Sequence, residues 1–213
     1  MTTRIPNLRG KDPMLIGICG RAGTGKTAAA EYLMARHRFE VAAFADELKD
    51  LLALHFETLG VDYSHLHEPT LKNAPLPGFG FVAGPVTARM LMQTLGDWGR
   101  AIDPDWWVNA LAHRVGLHDA TQGSSGSHTP IHDRICISDV RYPNEAEWLI
   151  ERGGVLIRLQ REQAQAVRAH SSESHIDELP AHIDLYNEGP TLAGFHALLD
   201  GALASVGVDA TAP

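Results

Sequence analysis

Apolar runs of strand length alternate along this chain with longer stretches of helical periodicity. Met14–Cys19 is an apolar run that leads into Gly20, the pattern of a strand buried on both faces of a parallel sheet. Lys26–Arg36 is Ala-rich and favours helix. Phe39–Phe44 predicts a second strand. Asp46 then stands where an N-cap would open a helix through Leu59, with Leu48, Leu51, Leu52, His55 and Leu59 along one stripe. Further helices are predicted over Val86–Trp98 and over Pro104–His118, with Pro104 as a first-turn residue. The pattern continues with a strand at Ile135–Asp139, a helix at Pro143–Arg152 and a strand at Val155–Leu159. A helix at Arg161–Ala169, a short strand at Ile183–Tyr186 and a helix at Thr191–Val206 complete it. This alternation predicts an α/β sandwich around a mainly parallel sheet, with its ligand site beyond the carboxyl ends of the strands.

Two stretches interrupt the alternation. Gly60–Pro85 is rich in proline and glycine and lacks periodicity, so it reads as a long irregular excursion of the kind that carries function. Thr121–Thr129 is a low-complexity insert that reads as a mobile segment. A chain of 213 residues supports one sizeable core, so a single domain over 1–213 with appendages is expected.

Composition narrows the function classes. Hydrophobic residues make up 44% and charged ones 21%, which is globular, and the formal net charge of −8 argues against a protein that coats nucleic acid. An anionic ligand must therefore meet a local cluster of positive charge. No apolar stretch approaches the roughly 18 residues of a membrane span, and Met1–Lys11 lacks the apolar core of a secretory signal. A soluble, cytoplasmic protein without membrane or nucleic-acid partners is the expectation. Cys19 and Cys136 sit in apolar strand-like runs and read as small buried thiols. The twelve histidines are scattered without metal-site spacing.

The sharpest chemical signal is Gly20-Arg21-Ala22-Gly23-Thr24-Gly25-Lys26-Thr27, which matches G-x-x-x-x-G-K-[ST] between a predicted strand and a predicted helix. Glycines at 20, 23 and 25 let the loop, with Ala22 and Thr24, turn successive backbone N–H groups toward phosphate, and the helix N-terminus adds a positive dipole. Lys26 would reach the β- and γ-phosphates of ATP, and Thr27 would ligate Mg²⁺. Asp139, ending the strongest later strand, stands where a second Mg²⁺ ligand belongs, although a strand-end aspartate can also be an ordinary turn residue.

Helical projection of Arg89–Arg100 puts Arg89, Gln93, Gly96 and Arg100 on one face and Leu91, Leu95 and Trp98 opposite. Two guanidiniums and an amide together suit capture of a phosphate and a base edge or sugar hydroxyl, unless Gly96 and Gly99 break the helix before Arg100. Arg141, Arg158, Arg161 and Arg168 follow Asp139. With the polar run His170-Ser171-Ser172-Glu173, they form the best candidate for a lid that brings positive charge over a transferring phosphate. The bland alternative for that segment is a polar turn with Ser174 and Asp177 spaced as a capping box.

Taken in order, these motifs resemble the deoxynucleoside monophosphate kinases of tailed bacteriophages, a branch of the P-loop kinases. The matching stretches are Gly17–Thr27, Phe44–Lys49, Arg89–Gly96, Ser138–Ala146 (Ser-Asp-Val-Arg-Tyr-Pro-Asn-Glu-Ala) and His170–Glu173. The resemblance implies a P-loop three-layer sandwich binding ATP and Mg²⁺, an NMP-binding excursion over about 45–100 and a lid over about 158–180. It implies catalytic roles for Lys26, Arg141, Arg158 and Arg161. It also implies acceptor contacts from Asp46, Lys49, Arg89, Gln93, Arg100, His170 and Glu173, although Asp46 alone reads equally well as an N-cap. Asn187 and Gly189 would hold adenine through backbone groups. The insert over about 120–132 has no counterpart in that pattern. A deoxynucleoside monophosphate would be the small-molecule acceptor, in the host cytoplasm if the gene is viral. An apolar helical stripe can serve either a core or a homodimer face.

Two other classes compete. A kinase resembling dephospho-coenzyme A kinase would share the core and differ in its acceptor site. A nucleotide-dependent switch would carry an Asn/Thr-Lys-x-Asp guanine motif, which the sequence lacks, and a motor ATPase would need more chain.

Overall fold

The central strand, β1 (Met14–Cys19), is apolar on both faces because both are covered. The computed structural model describes residues 6–11, 13–78, 84–117, 132–162, 175–189 and 191–209. In chain order the elements after β1 are α1 (Lys26–His37), β2 (Glu40–Ala42), α2 (Ala45–Leu59), α3 (Ser64–His67), α4 (Ala88–Ile102) and α5 (Trp106–Arg114). Then come β3 (Arg134–Ile137), α6 (Pro143–Glu151), β4 (Val155–Gln160), β5 (Ile183–Tyr186) and α7 (Leu192–Ser205). Short 3₁₀ turns lie at Leu71–Asn73 and Ile176–Glu178. None of the described helices is long and apolar enough to cross a membrane.

Two compact units divide the chain: one comprises residues up to Ala43 and from Ala112 onward, the other Phe44–Leu111. The larger unit holds a five-stranded sheet of order β2-β3-β1-β4-β5. Every strand pair is parallel, so the sheet is wholly rather than mainly parallel. Ile16 and Ile18 face one side, where they pack with Ala29, Ala30 and Leu33 of α1 and Phe195, Leu199 and Leu203 of α7. Gly17 faces the other, close enough to α6 that an added Cβ would lie 2.8 Å from Leu149. Helices thus cover both faces, a three-layer α/β sandwich. From β1 the chain moves to β2, returns to β3 beside β1, and then crosses to β4 on β1's other side. Such a reversal opens a crevice at the carboxyl end of β1.

The smaller unit has its own core of Leu48, Leu52, Phe56, Leu66, Leu76, Val86, Ala88 and Trp107. The buried stripe of α2 is Leu48, Leu52 and Phe56, whereas Leu51, His55 and Leu59 of the expected stripe are exposed. Strict i, i+4 spacing selects Phe56, which the longer list of leucines obscured. Asp46 is not the N-cap: Phe44 precedes the first turn, and the Asp46 carboxylate accepts from Lys49 Nζ at 3.0 Å. The excursion after Gly60 is less irregular than expected, with α3, a 3₁₀ turn and a Pro75–Thr87 bridge.

Helix α4 runs unbroken to Ile102, so Gly96 and Gly99 do not end it. They allow a close approach instead. Trp107 Nε1 donates to the Gly96 carbonyl at 3.0 Å, and a Cβ on Gly99 would sit 2.8 Å from that nitrogen. Ala88, Gly96 and Gly99 are the buried residues of α4, so the packed face lies about a quarter turn from the one expected. Trp98 is half exposed, edge-on to Trp106. Pro104 precedes α5 rather than opening it.

His182 extends the β4–β5 pairing with its side chain. Its backbone N–H donates to the Leu156 carbonyl at 2.8 Å, and its imidazole Nδ1 accepts from the Leu156 N–H at 3.0 Å. Burial lowers the imidazole's proton affinity. The unfolded chain therefore takes up this proton near pH 6.5 while the folded chain resists it, and the contribution to stability is present above that pH and lost as pH falls below it. His182→Asn, which keeps an acceptor but does not titrate, is expected to flatten the fall in unfolding free energy below about pH 6.5. Urea melts across this range check it; parallel pH profiles for the two proteins would contradict it.

Candidate functional site

Four strand ends converge at one edge of the sheet. β1 runs into Gly20, β3 into Ser138-Asp139, β4 into Arg161 and β5 into Asn187. Between β1 and α1 the loop winds through three glycines in the left-handed half of backbone space: Gly20 at φ 142°, Gly23 at 81° and Gly25 at 104°. A Cβ at Gly20 would lie 2.5 Å from the Leu159 carbonyl, and one at Gly25 would lie 2.8 Å from Asn187 Nδ2. Gly20 and Gly25 are thus required twice over, by conformation and by close approach, and Gly23 by conformation.

Side chains shape the same loop from inside. Thr24 is buried and its hydroxyl donates to the Arg21 carbonyl at 2.9 Å, so this threonine holds the turn. Lys26 Nζ donates to the Gly20 and Arg21 carbonyls at 2.6 and 2.7 Å, which keeps its charge within the bend. Thr27 is exposed in the first turn of α1, and Ala22 is half-buried beside Gly23. A concave run of backbone ending on a helix N-terminus, with an ammonium folded into it, is suited to an oligophosphate.

Asp139 is carried to this loop by the backbone. Ser138 N–H donates to the Ala42 carbonyl at 2.9 Å and Val140 N–H to the Ile18 carbonyl at 3.1 Å. The half-buried aspartate between them is therefore pinned alongside the end of β1. The next residues turn into α6 through a cap: buried Glu145 accepts from the Arg141 N–H at 2.7 Å and the Tyr142 N–H at 3.0 Å, while Pro143 occupies the first helical turn. The Ser-Asp-Val-Arg-Tyr-Pro-Asn-Glu-Ala run is thus a device that places Asp139 and Arg141 at the sheet's edge. Glu145 escaped the sequence reading, although an acid three residues into a helix is a capping signal.

The arginines divide. Arg158, opposite Cys19 in the β1–β4 register, gives its Nε to Asp184 at 2.8 Å, Nη1 to the Ile176 and Asp177 carbonyls, and Nη2 to the Leu179 carbonyl at 3.1 Å. It fastens the 3₁₀ turn to the sheet. Arg161 is exposed just past β4. Arg21, inside the loop but not singled out by the motif, pairs with Asp177. These groups line a cavity of about 460 Å³, with Thr24, Gln160, Tyr186 and Glu188 completing its wall. That volume is within the range of small-ligand sites.

Asn187 is buried. Its N–H donates to the Gln160 carbonyl at 2.8 Å and its side chain to the Thr24 carbonyl at 3.0 Å. Gly189 is exposed. In the smaller unit, Arg89 Nε donates to Asn73 Oδ1 at 2.7 Å, Arg100 pairs with Asp97 at 2.8 Å, and Gln93 is half-buried. Arg168, His170, Glu173, Ser174 and the Thr121–Thr129 insert lie outside the described residues. Cys19 and Cys136 are free, buried thiols, each pushed up to about 12, by desolvation above all.

No protein-family model matches the chain. It is 29% identical over 193 residues to a protein of Acanthamoeba polyphaga mimivirus named "Putative deoxynucleotide monophosphate kinase", covering 86% of this chain and 93% of that one. A crystal structure of a "putative kinase" from Chloroflexus aurantiacus aligns at a TM-score of 0.44 and 16% identity, over 92% of this chain and 98% of that one. An unliganded sugar kinase from Janibacter sp. HTCC2649 aligns at 0.38 and 14%, over 93% and 99%. Both TM-scores lie below 0.5, and the fold rests on the strand pairing described above.

The Glu145 cap carries a stability prediction. Glu145→Ala leaves two N–H groups without their acceptor in a buried setting, and a loss of about 2 kcal/mol in unfolding free energy is expected, with Glu145→Gln intermediate. Urea denaturation measures it, and a loss below about 0.5 kcal/mol would show the cap to be dispensable.

Proposed function

We propose that this protein is an ATP-dependent deoxynucleoside monophosphate kinase, forming dNDP and ADP. The observation that carries the reading is the glycine-wound loop at the end of β1, with Lys26 folded into it and Asp139 pinned beside it. Phosphoryl transfer needs positioning and charge stabilisation more than covalent chemistry, and this edge of the sheet supplies both. Support for the acceptor class comes from the ordered motif resemblance and from the name of the mimivirus relative.

In this reading the loop amides and Lys26 hold the β- and γ-phosphates of ATP. The nucleoside extends into the cavity between Arg21, Gln160 and Tyr186. Thr27 and Asp139, a hydroxyl and a carboxylate at the loop's helix end and flank, fit the oxygen-only ligand set of Mg²⁺, which supplies charge neutralisation on the phosphates when bound. Arg141, Arg158 and Arg161 are assigned to the transferring-phosphate side, and Arg158 also holds the turn at Ile176–Glu178. Asp46, Lys49, Arg89, Gln93 and Arg100 of the smaller unit serve the monophosphate, with His170 and Glu173 assigned to it from the motif alone.

ADP formation measured with each deoxynucleoside and ribonucleoside monophosphate, with dephospho-coenzyme A and without acceptor tests this. Dependence on a deoxynucleotide is expected. Turnover only with dephospho-coenzyme A selects the other kinase class, and acceptor-independent hydrolysis selects an ATPase.

The division of roles is separable kinetically. Arg89→Ala is expected to raise KM for the monophosphate about tenfold with KM for ATP little changed, and Arg141→Ala to lower kcat at least about tenfold. A rise in KM for ATP alone on Arg89→Ala would reverse the assignment.

A further inference from the structure

Asn187 stands apart from the other polar residues of the larger unit. It is 8% exposed, it follows the last strand, and its side-chain amide donates to the carbonyl of Thr24 inside the phosphate loop at 3.0 Å. The contact is tight. The position a Cβ would occupy on Gly25 is 2.8 Å from Asn187 Nδ2 and 3.5 Å from the Phe195 ring, so the Thr24–Gly25 peptide is wedged between the end of β5 and the start of α7. Asn187 is itself fixed, since its own N–H donates to the Gln160 carbonyl.

A trans peptide unit points its C=O and N–H in opposite directions. Anchoring the Thr24 carbonyl on Asn187 therefore turns the Gly25 N–H away from Asn187. Gly25 is the residue from which α1 departs, and its own carbonyl accepts from the Ala29 N–H at 2.9 Å. With φ at 104°, this glycine has a broad conformational range, and nothing intrinsic to it would keep that peptide in one orientation. The amide that would fix it lies 163 residues away in sequence.

We propose that Asn187 is a positioning residue for the phosphate loop: it orients the Thr24–Gly25 peptide so that the Gly25 N–H is presented to the bound oligophosphate. This rests on the ATP-binding reading above and differs from a role in recognising the base. An amide side chain suits the task because it donates without carrying charge beside the phosphates. A lysine there would also donate but would add a cation, and an aspartate would set a carboxylate against the Thr24 carbonyl.

The test uses the full chain and two variants, Asn187→Asp, which keeps the shape and loses the donor, and Asn187→Ser, which is too short to reach Thr24. Calorimetric titrations with inorganic triphosphate, ATP and GTP, each with Mg²⁺, give dissociation constants, and thermal melts confirm folding. The expected result is a weakening of about five- to tenfold, of similar size for all three ligands, with the ATP-to-GTP preference unchanged. Triphosphate affinity at the wild-type level in either folded variant would overturn the proposal. So would a changed ATP-to-GTP ratio with triphosphate binding intact, which would assign Asn187 to the base. Failure of the wild-type protein to bind any of the three ligands would instead remove the kinase reading itself.

Discussion

Everything at this site depends on how the chain leaves the central strand. Between Cys19 and Lys26 it must reverse from a buried strand into a helix packed on the same sheet, in a space bounded by the Leu159 carbonyl on one side and Asn187 on the other. Any side chain at Gly20 or Gly25 would strike those groups, and both residues adopt backbone angles that L-residues avoid. The loop is therefore shaped by the ends of β4 and β5, and the all-parallel order that brings those ends to β1 is a precondition for the loop's geometry.

The same edge explains the distribution of charge. A chain with a net charge of −8 must gather cations locally if it is to hold a polyanion. Lys26 and Arg21 lie in the loop, and Arg141 and Arg161 follow the neighbouring strands. Arg158 sits among them but is engaged by the backbone of the turn at Ile176–Glu178 and by Asp184. Its contribution is to fix that turn, which carries Asp177 to its pairing with Arg21 and forms part of the cavity wall.

Much of this was legible in the sequence because the signals were local. A short apolar run, a glycine loop and an Ala-rich helix in succession leave few alternatives, and β1, β4 and β5 fell within a residue of the expected bounds. What escaped depended on contacts remote in sequence. The carbonyl partners of Arg158, 18 to 21 residues downstream, leave no mark on the sequence around it. The packing role of Gly99 has no signal in hydrophobic periodicity, which gives glycine no weight, although Trp107, bonded to the Gly96 carbonyl, leaves no room for a side chain there. The bond from the Asn187 side chain to Thr24, 163 residues away, leaves no local mark either.

In the proposed kinase the β1–α1 loop binds the triphosphate of ATP through its backbone and Lys26. Calorimetric titration of the wild-type protein and of Lys26→Ala with ATP and Mg²⁺, paired with turnover on the best acceptor, tests it most directly. Measurable ATP binding by the wild type, a folded variant and a kcat reduced by more than about tenfold, a loss above about 1.4 kcal/mol, are expected. A variant that keeps more than about a tenth of wild-type kcat, or a wild-type protein that does not bind ATP, would contradict it.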